Sequence, residues 1–280
     1  MSQQNGFGVS RRSFTRGAGA ACLAMGTGAT LGALASPALA AGAAGASGDE
    51  PAASRGASGA ATGSSAAATG SAAVGIEASD AQVLPAASPD PESMFGVDAN
   101  VNMDTIDDYL GLRGVAYRDM RMLKDPADYA SIGGDSLLSV AIEGFEVVPM
   151  PYVGTLQELP VSGAYDGDRL FDITWADDGT VAQATPRYAE SQQIVEDLFP
   201  RDEPIVLCCG GGGYAGMMRQ LLIYLGYDAS RLYNAGGVWD YTGYYPVELA
   251  KYDDATGDTT YFMWRAVMAD IDFDQLTAVE

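Results

Sequence analysis

The chain has 280 residues, 48% of them hydrophobic, and its 15 basic and 37 acidic residues give a formal net charge of −22. This charge disfavours nucleic acid and anionic membrane surfaces as partners. The absence of histidine excludes Ser-His-Asp and Cys-His catalysis and disfavours an ordinary zinc site, so any chemistry must use cysteine, carboxylates, tyrosine, backbone amides or a bound cofactor. We predict no metal centre, and the function predicted below requires no cofactor.

The first 40 residues match a twin-arginine export signal. Ser10-Arg11-Arg12-Ser13-Phe14 is followed by a weakly apolar Ala/Gly stretch and by Ala38-Leu39-Ala40, a small-x-small cleavage site. A retained transmembrane anchor is the alternative, but the stretch is rich in Gly and has no Ile, Val or Phe, so we expect no stable membrane span. The predicted location is a periplasm or a cell surface.

Residues 41–94 differ in composition from the rest of the chain. They consist largely of Ala, Gly, Ser, Thr and Pro and cannot bury enough apolar surface to offset the entropy of ordering them. We interpret this segment as a disordered tether. Residues 95–280 are enough for one domain with a sizeable core.

The first half of the predicted domain contains short elements of both kinds. The pattern favours a helix over residues 105–112, a strand over 114–119 and another strand over 145–149. Phe171, Ile173 and Trp175 alternate with polar residues before Asp177-Asp178-Gly179, which predicts a β-hairpin.

The second half alternates helices and strands more regularly. Thr185-Pro186 is expected to open a helix that runs to Leu198, and residues 205–209 read as a buried strand. A helical pattern over 217–225 and a strand over 232–234 follow. This order predicts right-handed βαβ units, a parallel sheet, and a ligand site beyond the carboxyl ends of the strands, where Cys209 falls.

Cys209 is the candidate nucleophile. It ends the apolar run Pro-Ile-Val-Leu-Cys-Cys and is followed by Gly210, Gly211, Gly212, Gly213, Tyr214 and Ala215. Glycines allow the loop to curl with its amides inward, and a helix N-terminus favours negative charge, so we expect a lowered thiol pKa. The alternative is a buried, inert cysteine.

The stretch from Ile205 to Trp239 resembles the rhodanese-like (sulfurtransferase) family. In that family a strand ends in the catalytic cysteine, a six-residue loop wraps the sulfur, and a helix leads to Leu-Gly-Tyr, here Leu225-Gly226-Tyr227. A Gly-Gly pair follows the next strand, as in Asn234-Ala235-Gly236-Gly237. Upstream, Asp119-Met120-Arg121 is similar to the family's Asp-x-Arg, which assigns Asp119 and Arg121 supporting roles.

The resemblance implies a fold and an activity. The fold is α/β, a rhodanese-like domain with a central, mostly parallel sheet flanked by helices, plus an inserted β-hairpin between residues 151 and 197. The activity is sulfur transfer through a persulfide on Cys209, cradled by residues 210–215, to a thiol or cyanide acceptor. The expected partners are a small sulfane-sulfur donor or a persulfidated protein.

The sequence departs from the family at several positions. Gly210 and Tyr214 replace arginines that the family often carries in the loop, which favours an uncharged or weakly charged donor over thiosulfate. Tyr214 either donates a hydrogen bond to the bound anion or covers the pocket. Trp239 is expected to have a packing role only. We expect Asp119 and Arg121 to form an ion pair, and Cys208 to be buried or to form a vicinal disulfide with Cys209. A silent binding domain and a redox sensor remain alternative functions.

Overall fold

The computed structural model describes residues 9–12, 76, 78–80, 83–123, 140–158 and 165–279. The predicted export signal lies outside the described residues except for Val9–Arg12, which form strand β1. Residues 41–75 of the predicted tether also lie outside them. Among the residues described, every helix is too short or too polar to cross a membrane.

The described chain alternates strands with short helices. The remaining strands are β2 (Ala116–Asp119), β3 (Val140–Ile142), β4 (Glu146–Val147), β5 (Phe171–Trp175), β6 (Val181–Pro186), β7 (Ile205–Cys209), β8 (Leu232–Gly237), β9 (Pro246–Glu248), β10 (Ala250–Asp253), β11 (Asp258–Tyr261) and β12 (Val267–Ile271). The α-helices are α1 (Met150–Val153), α2 (Ser191–Leu198) and α3 (Gly213–Tyr224). Short 3-10 helices cover Ile106–Tyr109, Ala229–Arg231, Val238–Asp240, Met263–Arg265 and Phe273–Gln275.

Six strands form one sheet in the order β1-β12-β4-β2-β7-β8. The strands from β12 to β8 pair in parallel, whereas β1 pairs antiparallel with β12 at one edge. The β5–β6 hairpin forms a two-stranded sheet of its own. The molecule is therefore an α/β protein with a central, mostly parallel sheet flanked by a few helices, and the predicted hairpin is confirmed.

Both faces of this sheet are covered around β7. All five residues of β7 are buried, as expected of a strand inside a parallel sheet. Because side chains alternate between the faces of a strand, Leu207 and Cys209 join the cluster that packs on α2 and α3, while Val206 and Cys208 join a second cluster. The second cluster combines strand residues such as Tyr117 and Tyr233 with residues of the segment before β2, including Val101 and Ile106.

The packed domain begins upstream of the predicted boundary at residue 95. The Ala87 N–H donates to the Ser230 carbonyl at 2.8 Å, and the Tyr233 hydroxyl donates to the Pro85 carbonyl. Composition places residues 83–94 in the tether, because Ala, Ser and Pro predominate there and aromatic residues are absent. The backbone of residues 83–94 makes these two contacts with the body of the domain, and amino-acid composition alone does not indicate them.

Three other elements differ from the sequence predictions. Thr185 and Pro186 end β6 rather than opening a helix, and α2 begins only at Ser191. Residues 105–112 form a single 3-10 turn at Ile106–Tyr109. The sequence also gave no indication of β12, which joins the central sheet beside β4.

Candidate functional site

Strand β7 places Cys209 at the carboxyl edge of the central sheet, between β2 and β8. A short loop over residues 210–212 follows, and α3 begins at Gly213. Gly212 has a φ of +88°, a left-handed conformation that residues with a Cβ resist. The predicted six-residue loop thus consists of three loop residues and the start of α3.

Backbone amides converge on the sulfur of Cys209. The Gly212 N–H donates to Sγ with an N···S distance of 3.1 Å. The N–H groups of Ala215, Tyr214 and Gly211 also face the sulfur and act to lower the thiol pKa. The amides therefore point inward, as the glycine run predicts, and their arrangement favours an anion on the sulfur.

The net direction of the thiol pKa is nevertheless upward. Burial raises the pKa of the Cys209 thiol, and the negative charge of Asp119 acts in the same direction. Cys209 is 3% exposed, so the thiolate would lose nearly all of its hydration. The expectation of a lowered pKa is wrong for this closed arrangement, because desolvation outweighs the amide dipoles.

Glycines allow the loop to lie directly against the end of β8. A Cβ on Gly237 would lie 2.5 Å from the Gly210 carbonyl oxygen, and a Cβ on Gly210 would lie 2.7 Å from Cζ2 of Trp239. The Trp239 N–H donates to the Gly210 carbonyl at 3.3 Å. Because Trp239 is 60% exposed, its indole covers the loop from the solvent side.

Asn234 is a part of the site that sequence reasoning missed. Its side chain is fully buried, and Nδ2 donates to the Phe95 carbonyl at 2.9 Å and to the Gly212 carbonyl at 3.1 Å. Its Oδ1 accepts from the Gly236 N–H at 3.0 Å. The sequence signal that could have identified it is the polar amide of Asn234 within an otherwise apolar, predicted strand.

Asp119 and Arg121 form the predicted ion pair at the carboxyl end of β2. Arg121 is 1% exposed, and its Nε donates to both carboxylate oxygens of Asp119 at 2.9 and 3.0 Å. Nη1 donates to the Val140 carbonyl at 2.9 Å. Asp119 lies beside Cys208 in the β2–β7 register, so the pair supports the edge of the sheet below the cysteine loop.

Cys208 is buried, in agreement with the first of the two expectations for it. The residue is 0% exposed, and burial raises its thiol pKa well above the ordinary value. Both cysteines are free, and their side chains join clusters on opposite faces of the sheet. This orientation opposes a vicinal disulfide, since the two sulfurs would have to meet on one side of the strand.

A cleft of about 420 Å³ opens beside the first turns of α3. Gly213 and Gly216 form part of its wall, and the carboxylates of Glu158, Asp177 and Asp178 border it together with one basic residue, Arg219. Tyr214 is half-buried and packs against the cluster that contains Cys209. The structure thus brings the predicted loop residues together around the sulfur, next to an acidic cleft.

Comparisons of the chain with protein-family models, with curated proteins and with solved structures find no match.

Proposed function

We propose that this chain is an exported rhodanese-like sulfurtransferase that carries sulfane sulfur on Cys209. The observation that carries the proposal is the convergence of loop amides on Sγ, with the Gly212 N–H at 3.1 Å. A persulfide anion needs such donors when no cationic side chain serves it. The succession of β7, glycine loop, α3 and β8, with Gly237 packed against the loop, supports the resemblance stated from the sequence.

The reaction has two halves, and Cys209 serves as the nucleophile in both. Sγ gives up its proton to water and attacks the outer sulfur of the donor, whose S–S bond breaks and whose remainder leaves as the anion. Cys209 then holds a persulfide. An acceptor thiolate attacks the outer sulfur, the bond to Sγ breaks, and the Cys209 thiolate is restored.

Local charge supports an uncharged or weakly charged donor, such as a singly charged hydropolysulfide or a protein persulfide. Gly210 and Tyr214 offer no positive charge, and Arg121 is already paired with Asp119. The neighbouring cleft is bordered by three carboxylates against one basic residue, Arg219, and the chain carries a net charge of −22. A dianion such as thiosulfate would be repelled from this surface.

Turnover requires the loop to open. Cys209 is 3% exposed and its thiol pKa is raised by burial, so a donor reaches Sγ only when the covering groups move. The exposed indole of Trp239 is the part of the cover that can move with the least loss of packing.

The test is to incubate the full chain with polysulfide and to map the products by peptide mass spectrometry. We expect one added sulfur, about 32 Da, on the peptide that carries Cys209, and its transfer to an added thiol. Cys209→Ser should abolish both, whereas Cys208→Ser, if folded, should retain them. A folded wild-type protein without this adduct would rule out the enzyme.

A catalytically silent binding domain is the second candidate, because the thiol is buried and its pKa is raised. It predicts no polysulfide adduct on Cys209, and alkylation of Cys209 no faster than that of a free cysteine at neutral pH. The same mass-spectrometric experiment therefore separates the two functions.

A further inference from the structure

Asn234 connects three segments of the chain around the cysteine loop. Its Nδ2 bonds the carbonyls of Phe95 and Gly212, and its Oδ1 bonds the N–H of Gly236. Every polar atom of this fully buried side chain has a partner. Buried amides with complete hydrogen bonding fix the backbone that they touch, because rotation would leave desolvated groups unpaired.

Gly212 is the residue through which Asn234 reaches the sulfur. The Gly212 N–H donates to Cys209 Sγ, while the Gly212 carbonyl accepts from Asn234 Nδ2 at 3.1 Å and from the Gly216 N–H at 2.9 Å. Gly212 adopts a φ of +88° and has no side chain to restrain it. The orientation of Gly212 therefore depends on the hydrogen bonds that its N–H and its carbonyl make.

We propose that Asn234 is a positioning residue, which holds the Gly212 carbonyl so that the Gly212 N–H stays directed at Cys209 Sγ. The inference rests on the proposed function for its purpose, since a sulfur anion is what the directed amide stabilises. Phe95 and Gly236, the other two partners of Asn234, fix the amide side chain itself and so determine where it can hold Gly212.

Other groups near the sulfur act independently of Asn234. Among the described residues, the charged or titratable side chains that interact with the Cys209 thiol include Asp119 and Arg121 from the end of β2 and Cys208 from β7. None of these three side chains is among the hydrogen-bond partners of Asn234 in the described residues. A change at Asn234 should therefore affect the thiol through Gly212 rather than through a charge.

The test compares Asn234→Leu with wild type in full-length protein labelled with ¹³C at the cysteine Cβ. Leucine has the same branched arrangement of side-chain heavy atoms, with two bulkier methyl groups in place of the amide and no hydrogen-bonding group. Losing one directed amide should leave about fivefold fewer thiolates at Cys209 at any pH below the midpoint, seen as a titration moved to higher pH. The Cys209 signal is assigned with Cys209→Ser.

Ser191→Ala is the matched control, because Ser191 is also fully buried and its hydroxyl donates to the Leu170 carbonyl at 2.8 Å, in the unit of β5, β6 and α2. It should lower stability and leave the Cys209 titration in place. An unmoved midpoint in folded Asn234→Leu, or an equal movement in Ser191→Ala, would overturn the proposal. If Asn234→Leu does not fold, Asn234→Ser should move the midpoint in the same direction by less, and no movement would again overturn it.

The outcome is independent of the polysulfide experiment. A moved midpoint without a persulfide adduct would leave Asn234 as a positioning residue for the thiol and would reject sulfur transfer. An adduct with an unmoved midpoint would support sulfur transfer and would reject Asn234 as a positioning residue.

Discussion

Cys208 and Cys209 are adjacent and equally buried, yet the surroundings of their sulfurs differ. Cys208 joins an apolar cluster, and burial raises the pKa of its thiol. In the part of the chain that the structure describes, the other groups that act on this pKa are the side chains of Asp119, Arg121 and Cys209 rather than backbone amides. Cys209 lies at the turn into α3, where at least four backbone N–H groups face the sulfur and counteract burial. Burial alone therefore does not separate an inert thiol from a candidate nucleophile; the direction of nearby amides does.

The largest disturbance of this comparison should come from Asp119→Asn, since Asp119 acts on both thiols. The change leaves the buried Arg121 guanidinium without its carboxylate, which should cost about 3–5 kcal/mol in the free energy of unfolding. It also removes a negative charge that raises the pKa of both thiols, so both titrations should move to lower pH. Urea unfolding and ¹³C titration measure the two effects.

The control for that change is Asp172→Asn. Asp172 pairs with Arg169 at 2.9 Å at a half-exposed position, so its loss should cost less than about 1 kcal/mol. Equal losses for the two variants would contradict a tightly buried pair at Asp119.

Serine substitutions should separate the two cysteines by stability. Cys208→Ser places a hydroxyl in an apolar cluster, and we expect a loss of about 1–3 kcal/mol in the free energy of unfolding. Cys209→Ser should cost about 1 kcal/mol or less, because loop amides can donate to the new oxygen. Denaturant unfolding of both variants measures the two losses. Equal losses in the free energy of unfolding would contradict the difference between the surroundings of the two sulfurs.

The alkaline range should sharpen the comparison further. Both thiols have a raised pKa in the folded protein, so the unfolded chain ionises first once the pH exceeds the ordinary value of 9.0. Stability is therefore complete below that pH and falls above it, by up to about 1.4 kcal/mol per pH unit for each thiol.

Cys208→Ala should flatten this fall more than Cys209→Ala does, because the pKa of Cys208 is raised well above its ordinary value, whereas loop amides counteract part of the rise at Cys209. Urea unfolding between about pH 8 and 9.5 tests it, because buried tyrosines such as Tyr117, whose pKa is raised from 10.0 to about 12, begin to lower stability once the pH approaches 10. The opposite order of the two variants would contradict the account of their surroundings.

The smallest effect on the free energy of unfolding is expected at Gly210, which belongs to the loop that surrounds Cys209 and not to the surroundings of Cys208. Gly210→Ala would bring a Cβ to 2.7 Å from the Trp239 indole, but the ring is exposed and can move aside, so the cost should be about 1 kcal/mol. Adding Trp239→Ala should recover most of it in a double-mutant cycle. Gly211→Ala, which meets Trp239 only at 3.7 Å, is the control and should be nearly neutral.

Sequence reasoning located the core of the site because its signals are local. The apolar run over 205–209 and the glycines after it were sufficient to predict β7, the turn and a helix, and β7 has the bounds expected. The structure extends that helix upstream to Gly213, since glycines conceal its first turn from a hydrophobic pattern.

The features that were missed depend on contacts between distant segments. Asn234 acquires its meaning only when Phe95 and Gly212 lie on either side of it. Strand β12 pairs with β4 through two residue pairs, a contact that no local pattern marks. The net pKa of Cys209 is likewise a difference between desolvation and amide dipoles, and its sign depends on how completely distant residues close over the sulfur.

Strand β1 has a consequence for the biogenesis of the protein. Residues 9–12 contain the paired arginines of the predicted export signal, and they are hydrogen-bonded along the outer edge of β12. If the predicted export signal functions as such, a transport receptor and the folded precursor would compete for the same four residues. Cleavage of the predicted export signal would then leave β12 as an unpaired edge strand. Self-association that increases with protein concentration is therefore expected of the cleaved protein rather than of its precursor.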